Sequence, residues 1–245
     1  LNPVLSIGTQ MEETLRAHRA ISVKPAEALA EEKLRRVQIQ SPEKRLRQYP
    51  HEFSGGMRKR IVIAIALISD PALIIADEPT TALDVTIQAE IMNLLYRLCS
   101  DEQMGLILIT HDLGVVSQTT ERIVVMYAGK IVETGPTRAV IDQPRHPYTR
   151  GLIKALPGVM AARQRLHQIP GMMPTLTAIP PGCAFHPRCQ FVRPMCESET
   201  PDLAYADTNG RGAACHMVKA QLAYPAAPES IAGWPDAGLS PHEER

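Results

Sequence analysis

The stretch from residue 53 to residue 84 constrains the fold of this 245-residue chain more than any other. It combines a Ser-Gly-Gly turn that opens a helix with an apolar strand that ends in two acids, and a second helix and strand follow it. These elements are Ser54-Gly55-Gly56 with helix 54–69, strand 72–77 with Asp77-Glu78, helix 85–99 and strand 105–110. Strands that alternate with helices of about 10–15 residues predict crossover connections and a largely parallel sheet. The last strand is almost wholly apolar, which predicts that both of its faces are covered.

Helices are predicted before this stretch and a hairpin after it. Apolar residues at three- and four-residue spacing predict helices over 9–20 and 25–38. Apolar runs at 122–127 and 130–133 predict two strands joined by a turn at Ala128-Gly129.

Composition narrows the classes of protein to consider. The formal net charge is zero, with 26 basic and 26 acidic residues, so we expect no nucleic-acid partner. The longest apolar run, 61–68, is too short to span a bilayer, and we expect no secretory signal. Residues 157–225 are rich in Pro, Gly and Cys, and residues 226–245 predict a disordered tail.

The Ser54-Gly55-Gly56 turn is a candidate phosphate-binding site. Glycines let backbone N–H groups approach a phosphate closely, and the helix that follows points its positive end at the anion. The alternative is a serine N-cap followed by glycines in a turn. The apolar helix and the acid-terminated strand that follow the turn favour the phosphate-binding site.

Asp77 and Glu78 are the candidate catalytic acids. They close a strand whose carboxyl end would face the crevice where open parallel sheets bind ligands. One carboxylate could hold Mg²⁺ while the other polarises an attacking water, although two acids in a solvated turn are the alternative. His111 ends the next strand and could reach the same crevice, whereas a lone histidine is more often structural or exposed. Asp84 is predicted to cap the helix that follows.

Four of the five cysteines cluster near the C-terminus, and Cys99 is predicted to be a small core residue. The clustered residues are Cys183, Cys189, Cys196 and Cys215. Without a secretory signal, such a cluster favours a metal over disulfides, and four thiolates could hold an iron–sulfur cluster or a zinc ion. Reduced structural thiols are the alternative. His186 and His216 could substitute as ligands, although we expect both at the surface.

Together these motifs resemble those of the ATP-binding subunits of bacterial dipeptide and oligopeptide ABC importers. The resemblance covers roughly residues 1–220 and rests on several motifs in order. They are Leu1-Asn2-Pro3 after the Q-loop, Tyr49-Pro50-His51-Glu52 before the Ser-Gly-Gly signature, Asp77 to Thr86 as Walker B and D-loop, Ile109 to Leu113 as switch region, Val125 to Gly129, and Arg145 to Thr149 in the C-terminal extension.

This resemblance implies an α/β fold, a P-loop NTPase-like ABC nucleotide-binding domain that lacks its N-terminal part and carries a helical subdomain and a Cys-containing extension. The expected boundaries are 1–156 for the partial ATPase domain, with its helical subdomain at about 5–69. The extension is expected at 157–225 and the tail at 226–245.

The resemblance also implies roles for the candidate residues. Residues 54–56 would contact the γ-phosphate of ATP held by the opposite subunit, and Asp77 would bind Mg²⁺. Glu78 would be the general base and His111 would sense the γ-phosphate, while Asp84 would communicate across the dimer. Importer subunits with this cysteine pattern imply a 4Fe–4S cluster, with Zn²⁺ as the alternative.

By the same resemblance, the chain would power peptide import by ATP hydrolysis. Its partners would be a second ABC ATPase subunit, two transmembrane permease subunits and an extracytoplasmic peptide-binding protein, and it would lie peripherally on the cytoplasmic face of the inner membrane. A non-transport ABC ATPase acting on nucleic acid or ribosomes is an alternative, although the sequence has no long coiled coil or basic surface.

The sequence departs from the family pattern in two ways. No G-x-x-x-x-G-K-S/T motif occurs, and the Q-loop glutamine and adenine platform would precede Leu1. We therefore expect this chain not to bind and hydrolyse ATP at its own site, and a fragment or remnant that offers only its signature face is the second alternative. Lys59 stands where the family more often has Gln, and we expect little effect from it.

Overall fold

The computed structural model describes residues 1–81, 83–156, 168–205 and 210–219. The chain forms two compact units, Leu1–His111 and Asp112–Arg245. The predicted tail at 226–245 and part of the predicted extension lie outside the described residues. Within the described ranges, no helix is both long enough and apolar enough to cross a membrane.

The first unit is mostly helical around one pair of strands. In chain order it contains α1 (Ile7–His18), α2 (Val23–Arg36), α3 (Pro42–Arg45), a 3-10 turn (Pro50–Glu52), α4 (Gly55–Leu67), β1 (Leu73–Asp77), α5 (Val85–Asp101) and β2 (Gly105–Ile109). Every helix and strand predicted for this part of the sequence is confirmed, with ends that differ by a few residues.

Helices α1, α2 and α4 pack together through buried apolar residues, and a buried lysine links them to the turn after α4. Lys33, whose side chain is only 3% exposed, donates to Asp70 Oδ1 at 2.6 Å. Arg19 donates to the other oxygen at 3.0 Å. The hydrogen bond from Lys33 holds the pKa of Asp70 below its usual value. The buried residues of these helices include Ile7, Met11, Leu15, Ala26, Ala30, Leu34, Ile61, Ala64 and Leu67.

Strands β1 and β2 form a parallel pair, with Leu73 opposite Gly105 and Asp77 opposite Ile109. Crossover through α5 gives the parallel arrangement that the alternation of elements predicted. The prediction that strand 105–110 is covered on both faces is wrong, since Ile107 and Ile109 are 47% and 48% exposed. On β1, Ile74 and Ala76 are buried while Leu73 and Ile75 are exposed, because the described elements cover only one face of this pair.

The second unit is built on an antiparallel sheet. It contains α6 (Leu113–Thr119), β3 (Arg122–Tyr127), β4 (Lys130–Pro136), α7 (Thr137–Asp142), α8 (Pro147–Lys154), a 3-10 turn (His186–Arg188), α9 (Pro194–Ser198), β5 (Ala204–Tyr205), β6 (Gly212–Ala213) and α10 (His216–Lys219). The sheet order is β3-β4-β6-β5. The predicted hairpin is confirmed, and its turn residues Ala128 and Gly129 both have positive φ, as two-residue hairpins favour.

The cysteine-rich segment, residues 183–196, packs against this hairpin. Phe185 is buried, with its ring 5.2 Å from that of Tyr127 and 5.5 Å from that of Tyr148. Strand β6 pairs with β4, with Gly212 opposite Thr134. The sequence analysis predicted neither contact, because the segment has little periodicity of its own.

A buried carboxylate fixes the start of α8. Glu133 on β4 is fully buried, and its oxygens accept the backbone N–H groups of Arg145 at 2.7 Å and His146 at 2.8 Å. Arg211 lies 3.8 Å from the same carboxylate. Burial raises the pKa of Glu133, and the two backbone donors oppose that rise. The Glu133 side chain therefore connects the β3–β4 hairpin with the start of α8 and with Arg211 near the C-terminus.

We expect Glu133→Gln to lower the free energy of unfolding by about 1–3 kcal/mol, because the amide NH₂ would face a backbone N–H donor in a buried site. Chemical denaturation followed by far-UV circular dichroism measures the change. Glu121→Gln, at an exposed position before β3, is the matched control. Equal midpoints for the two variants would contradict this account of Glu133.

Candidate active site

The register of β1 against β2 brings Glu78 and His111 together. Asp77 is opposite Ile109, and the N–H of Glu78 donates to the carbonyl of Ile109 at 2.9 Å, which continues the ladder by one residue. His111 follows two residues later, and its Nδ1–H donates to Glu78 Oε1 at 2.8 Å. The shared sheet edge predicted from the sequence therefore places an acid and a histidine in direct contact.

Glu78 adopts a left-handed backbone conformation, with φ of +46°. This conformation costs a non-glycine residue free energy and is held only where its surroundings impose it. Thr81 supplies two contacts, its N–H to the Glu78 carbonyl at 3.3 Å and its hydroxyl to Glu78 Oε2 at 3.0 Å. Lys59 on α4 adds a third, from Nζ to the same carbonyl at 3.4 Å.

These contacts keep Glu78 ionised and accessible. The hydrogen bond from His111 holds the pKa of Glu78 below its usual value, and the one from Thr81 acts in the same direction. The His111 side chain is 85% exposed, so the pair faces solvent. An ionised, oriented carboxylate can accept a proton from a water that attacks a bound phosphate.

Two further acids, Asp77 and Asp84, lie on either side of Glu78 in the sequence. Asp77 is the exposed last residue of β1, and exposed carboxylate oxygens suit a hard cation such as Mg²⁺. Asp84 caps α5, its Oδ1 accepting the N–H of Ile87 at 3.0 Å, so the predicted cap is confirmed.

The Ser-Gly-Gly turn lies at the N-terminus of α4. Ser54 Oγ accepts the N–H of Met57 at 3.3 Å, as an N-cap does. A Cβ on Gly55 would be in ordinary contact with Leu83, whereas one on Gly56 would lie 3.0 Å from Ile87. The turn is exposed at Ser54 and Gly55, so the cap geometry leaves the positive end of the helix accessible to an anion.

Sequence reasoning missed the roles of Lys59 and Thr81. Lys59 reaches Glu78 across nineteen residues of sequence, and no local pattern indicates such a contact. Thr81 lies inside the motif that the sequence analysis quoted, but its contact with the carboxylate depends on the left-handed backbone of Glu78. The expectation that Lys59 has little effect stays a prediction.

In the second unit, the four clustered cysteines line one cavity of about 20 Å³, room for one water-sized atom. All four are free thiols, and Cys99 is buried in the first unit as predicted. Burial raises the pKa of Cys183 and raises that of Cys189 to about 11, so both are protonated thiols at neutral pH. Among the described residues, no three His, Cys, Asp or Glu side chains are arranged to hold a metal ion.

Backbone contacts bring the cysteine segments together. The N–H of Cys183 donates to the carbonyl of Cys196 at 2.9 Å. Gly182, with φ of +68°, makes this approach possible, since a Cβ there would lie 2.4 Å from the Cys196 oxygen. Both Cys183 and Cys196 line the cavity.

Three histidines line the same cavity, and each uses a ring nitrogen for a backbone contact. His186 donates to the carbonyl of Cys183 at 3.0 Å and His216 to that of Glu199 at 2.9 Å. The expectation of a surface position is wrong for His216, which is 8% exposed and whose ring lines the cavity beside the Glu199 carbonyl. Burial lowers the pKa of His146 to about 3, and its Nδ1 accepts the N–H of Tyr148.

Two family models match the sequence. The model described as ABC transporter matches residues 2–81, and the model described as oligopeptide/dipeptide transporter, C-terminal region, matches residues 132–196. The first match includes the Ser-Gly-Gly turn, Asp77 and Glu78, and the second includes Glu133 and three of the four clustered cysteines.

Proteins of Brucella species named as peptide import ATP-binding proteins are similar to this chain. One from Brucella melitensis biotype 1 is 52% identical over 210 residues, which are 83% of this chain and 62% of that protein. A second from the same organism is 49% identical over 215 residues, 88% of this chain and 64% of that protein. The chain thus spans less than two thirds of the length of these relatives.

Among solved structures, a metal-chelate type ABC transporter in an inward-facing conformation matches with a TM-score of 0.52 and 23% sequence identity. The match covers 58% of this chain and 56% of that one. This likeness concerns the fold alone, and it agrees with the α/β ABC fold predicted from the sequence.

We expect His111→Ala to raise the pKa of Glu78 toward the usual value of a glutamate, because the variant removes the donor that lowers it most. A ¹³C NMR titration of labelled glutamate carboxyl groups in metal-free buffer measures the shift. His18→Ala, at an exposed position on α1, should leave the Glu78 titration unchanged. Identical Glu78 curves for all three proteins would show that the 2.8 Å contact does not form in solution.

Proposed function

Since this chain belongs to the ATP-binding proteins of ABC transporters of the oligopeptide/dipeptide class, we propose that it is the ATP-hydrolysing subunit that powers peptide import through such a transporter. The observation that carries this proposal is the contact between Glu78 and His111 at the ends of two parallel strands. The names of the similar proteins favour peptide transport over an action on nucleic acid or ribosomes.

Glu78 has the properties of a general base for ATP hydrolysis. Its carboxylate is ionised, oriented by donors on both oxygens and open to solvent on the His111 side. It would accept the proton of the attacking water, while His111 would hold the carboxylate in place and sense the γ-phosphate. Asp77 would bind the Mg²⁺ that accompanies the nucleotide and neutralises phosphate charge.

The Ser-Gly-Gly turn would bind a second nucleotide, which another ATPase subunit holds. The N-terminus of the thirteen-residue α4 offers backbone N–H groups and a positive dipole end, which suit the γ-phosphate of ATP held by a second ATPase subunit. Asp84, one short loop away from Glu78, would relay between the two subunits. The remaining proposed partners are two transmembrane permease subunits and an extracytoplasmic peptide-binding protein, with this subunit peripheral on the cytoplasmic face of the inner membrane.

We further propose that the four clustered cysteines hold a metal centre, either a 4Fe–4S cluster or Zn²⁺. All four thiols line one cavity, and backbone contacts bring two of the segments together. Binding would require the thiols to lose their protons and the cysteine segments to rearrange, drawing in around Zn²⁺ or widening the cavity for a 4Fe–4S cluster. The centre would then add a crosslink to a segment whose described contacts with the hairpin include Phe185, Arg211 and strand β6.

We expect Glu78→Gln to lower ATP turnover at least about 100-fold in the complex reconstituted with its partner subunits, because a general base is removed, while ATP binding persists. Phosphate release and binding of a labelled ATP analogue measure the two quantities. Glu27→Gln, exposed on α2, is the control.

A chain that only offers its Ser-Gly-Gly face to a partner would give a different pattern. Glu78→Gln would then leave turnover unchanged, whereas Gly55→Asp would abolish it by placing a carboxylate beside the phosphate. Gly55→Ala is the size control, since a Cβ at this position makes only an ordinary contact with Leu83.

We expect protein purified anaerobically to contain bound iron or zinc, and Cys189→Ser to lose most of it because one of four ligands is removed. Metal analysis and the visible absorbance spectrum measure this. Cys99→Ala, in the first unit, should retain the wild-type metal content. A folded wild-type protein that is colourless and free of metal would refute the metal centre.

A further inference from the structure

We propose that Thr81 is a positioning residue for Glu78, whose hydroxyl sets the plane of the Glu78 carboxylate for proton transfer. The inference rests on the proposed role of Glu78 as general base. It concerns a residue to which the family resemblance assigned no role.

The first observation is that the two carboxylate oxygens of Glu78 receive different donors. His111 donates to Oε1 at 2.8 Å and the Thr81 hydroxyl donates to Oε2 at 3.0 Å. The backbone N–H of His111 also donates to this carboxylate. An ionised carboxylate has about four acceptor sites, so the three donors leave about one site for a water. Donors from two residues on separate oxygens define the plane of the carboxylate, which donors from His111 alone would hold less firmly.

The second observation is that Thr81 holds both ends of the same residue. Its backbone N–H donates to the carbonyl of Glu78 at 3.3 Å while its hydroxyl holds the carboxylate. Between them, Pro79 has a fixed φ and Thr80 is buried, so the turn has little freedom to separate the two residues. Threonine is also stiff at χ1, which keeps its hydroxyl directed at the carboxylate.

The third observation is that Glu78 needs such support. Its φ of +46° is unfavourable for a side chain with a Cβ, and its terminal torsion is broad and intrinsically two-fold. Lys59 contacts only the backbone carbonyl, at 3.4 Å, so it does not orient the carboxylate. Of the donors in the described residues that reach this side chain, Thr81 is the one fixed by the same turn.

The test compares Thr81→Val, which keeps the shape and removes the hydroxyl, with Thr81→Ser, which keeps the hydroxyl. In the reconstituted complex we expect Thr81→Val to lower kcat about tenfold with KM for ATP within about twofold, because misplacement of a catalytic group by about 1 Å can cost 100-fold. Thr81→Ser should recover most of kcat. Thr177→Val, at an exposed position in the second unit, is the control for surface polarity and should behave as wild type.

Two kinetic results would overturn the inference. Wild-type kcat in Thr81→Val would mean that the hydroxyl does not position the base. Equal losses in Thr81→Val and Thr81→Ser would mean that the hydroxyl is not the group responsible.

A second measurement does not depend on turnover. In the isolated full chain, ¹³C relaxation of the labelled Glu78 side chain should show greater mobility in Thr81→Val than in wild type, Thr81→Ser or Thr177→Val. Unchanged mobility in Thr81→Val would overturn the inference even if Glu78→Gln abolished hydrolysis. Conversely, hydrolysis that survives Glu78→Gln would refute the proposed function, whatever the relaxation shows.

Discussion

The parallel pairing of β1 with β2 determines the rest of the candidate active site. Asp77 lies opposite Ile109, and the Glu78 N–H continues the ladder onto the Ile109 carbonyl. A slip of one residue would turn every side chain to the other face and carry His111 away from Glu78. The hydrogen bonds of two short strands thus set the distance between the proposed base and its histidine, before any side-chain contact forms.

The second unit obeys a different constraint, the need to anchor a segment with few apolar residues. Phe185 fills a place among Tyr127 and Tyr148, and Glu133 satisfies two backbone N–H groups at the start of α8. A buried carboxylate is costly unless its oxygens are paired, so these contacts must form together. The cysteine-lined cavity is therefore built on a hairpin that is already ordered by ordinary packing.

Short-range sequence signals predicted several features of the fold and of the candidate active site. Serine and aspartate caps mark the starts of α4 and α5, and the rule that parallel strands share a ligand edge placed Glu78 near His111. The contacts of Lys59 and Thr81 with Glu78 could not be predicted from the sequence. They depend on the left-handed backbone conformation of Glu78, which no residue propensity indicates. The role of Glu133 and the pairing of β6 with β4 were hidden for a similar reason, since each joins segments distant in sequence.

The uncovered face of β1 and β2 has a practical consequence for anyone who handles this chain alone. Leu73, Ile75, Ile107 and Ile109 form a contiguous apolar row exposed to solvent, on a two-stranded sheet. Water is a poor solvent for such a row, and sheets with open edges tend to recruit further strands. The isolated chain should therefore self-associate increasingly as its concentration rises. Self-association, rather than unfolding, should then set the highest concentration at which spectra can be recorded.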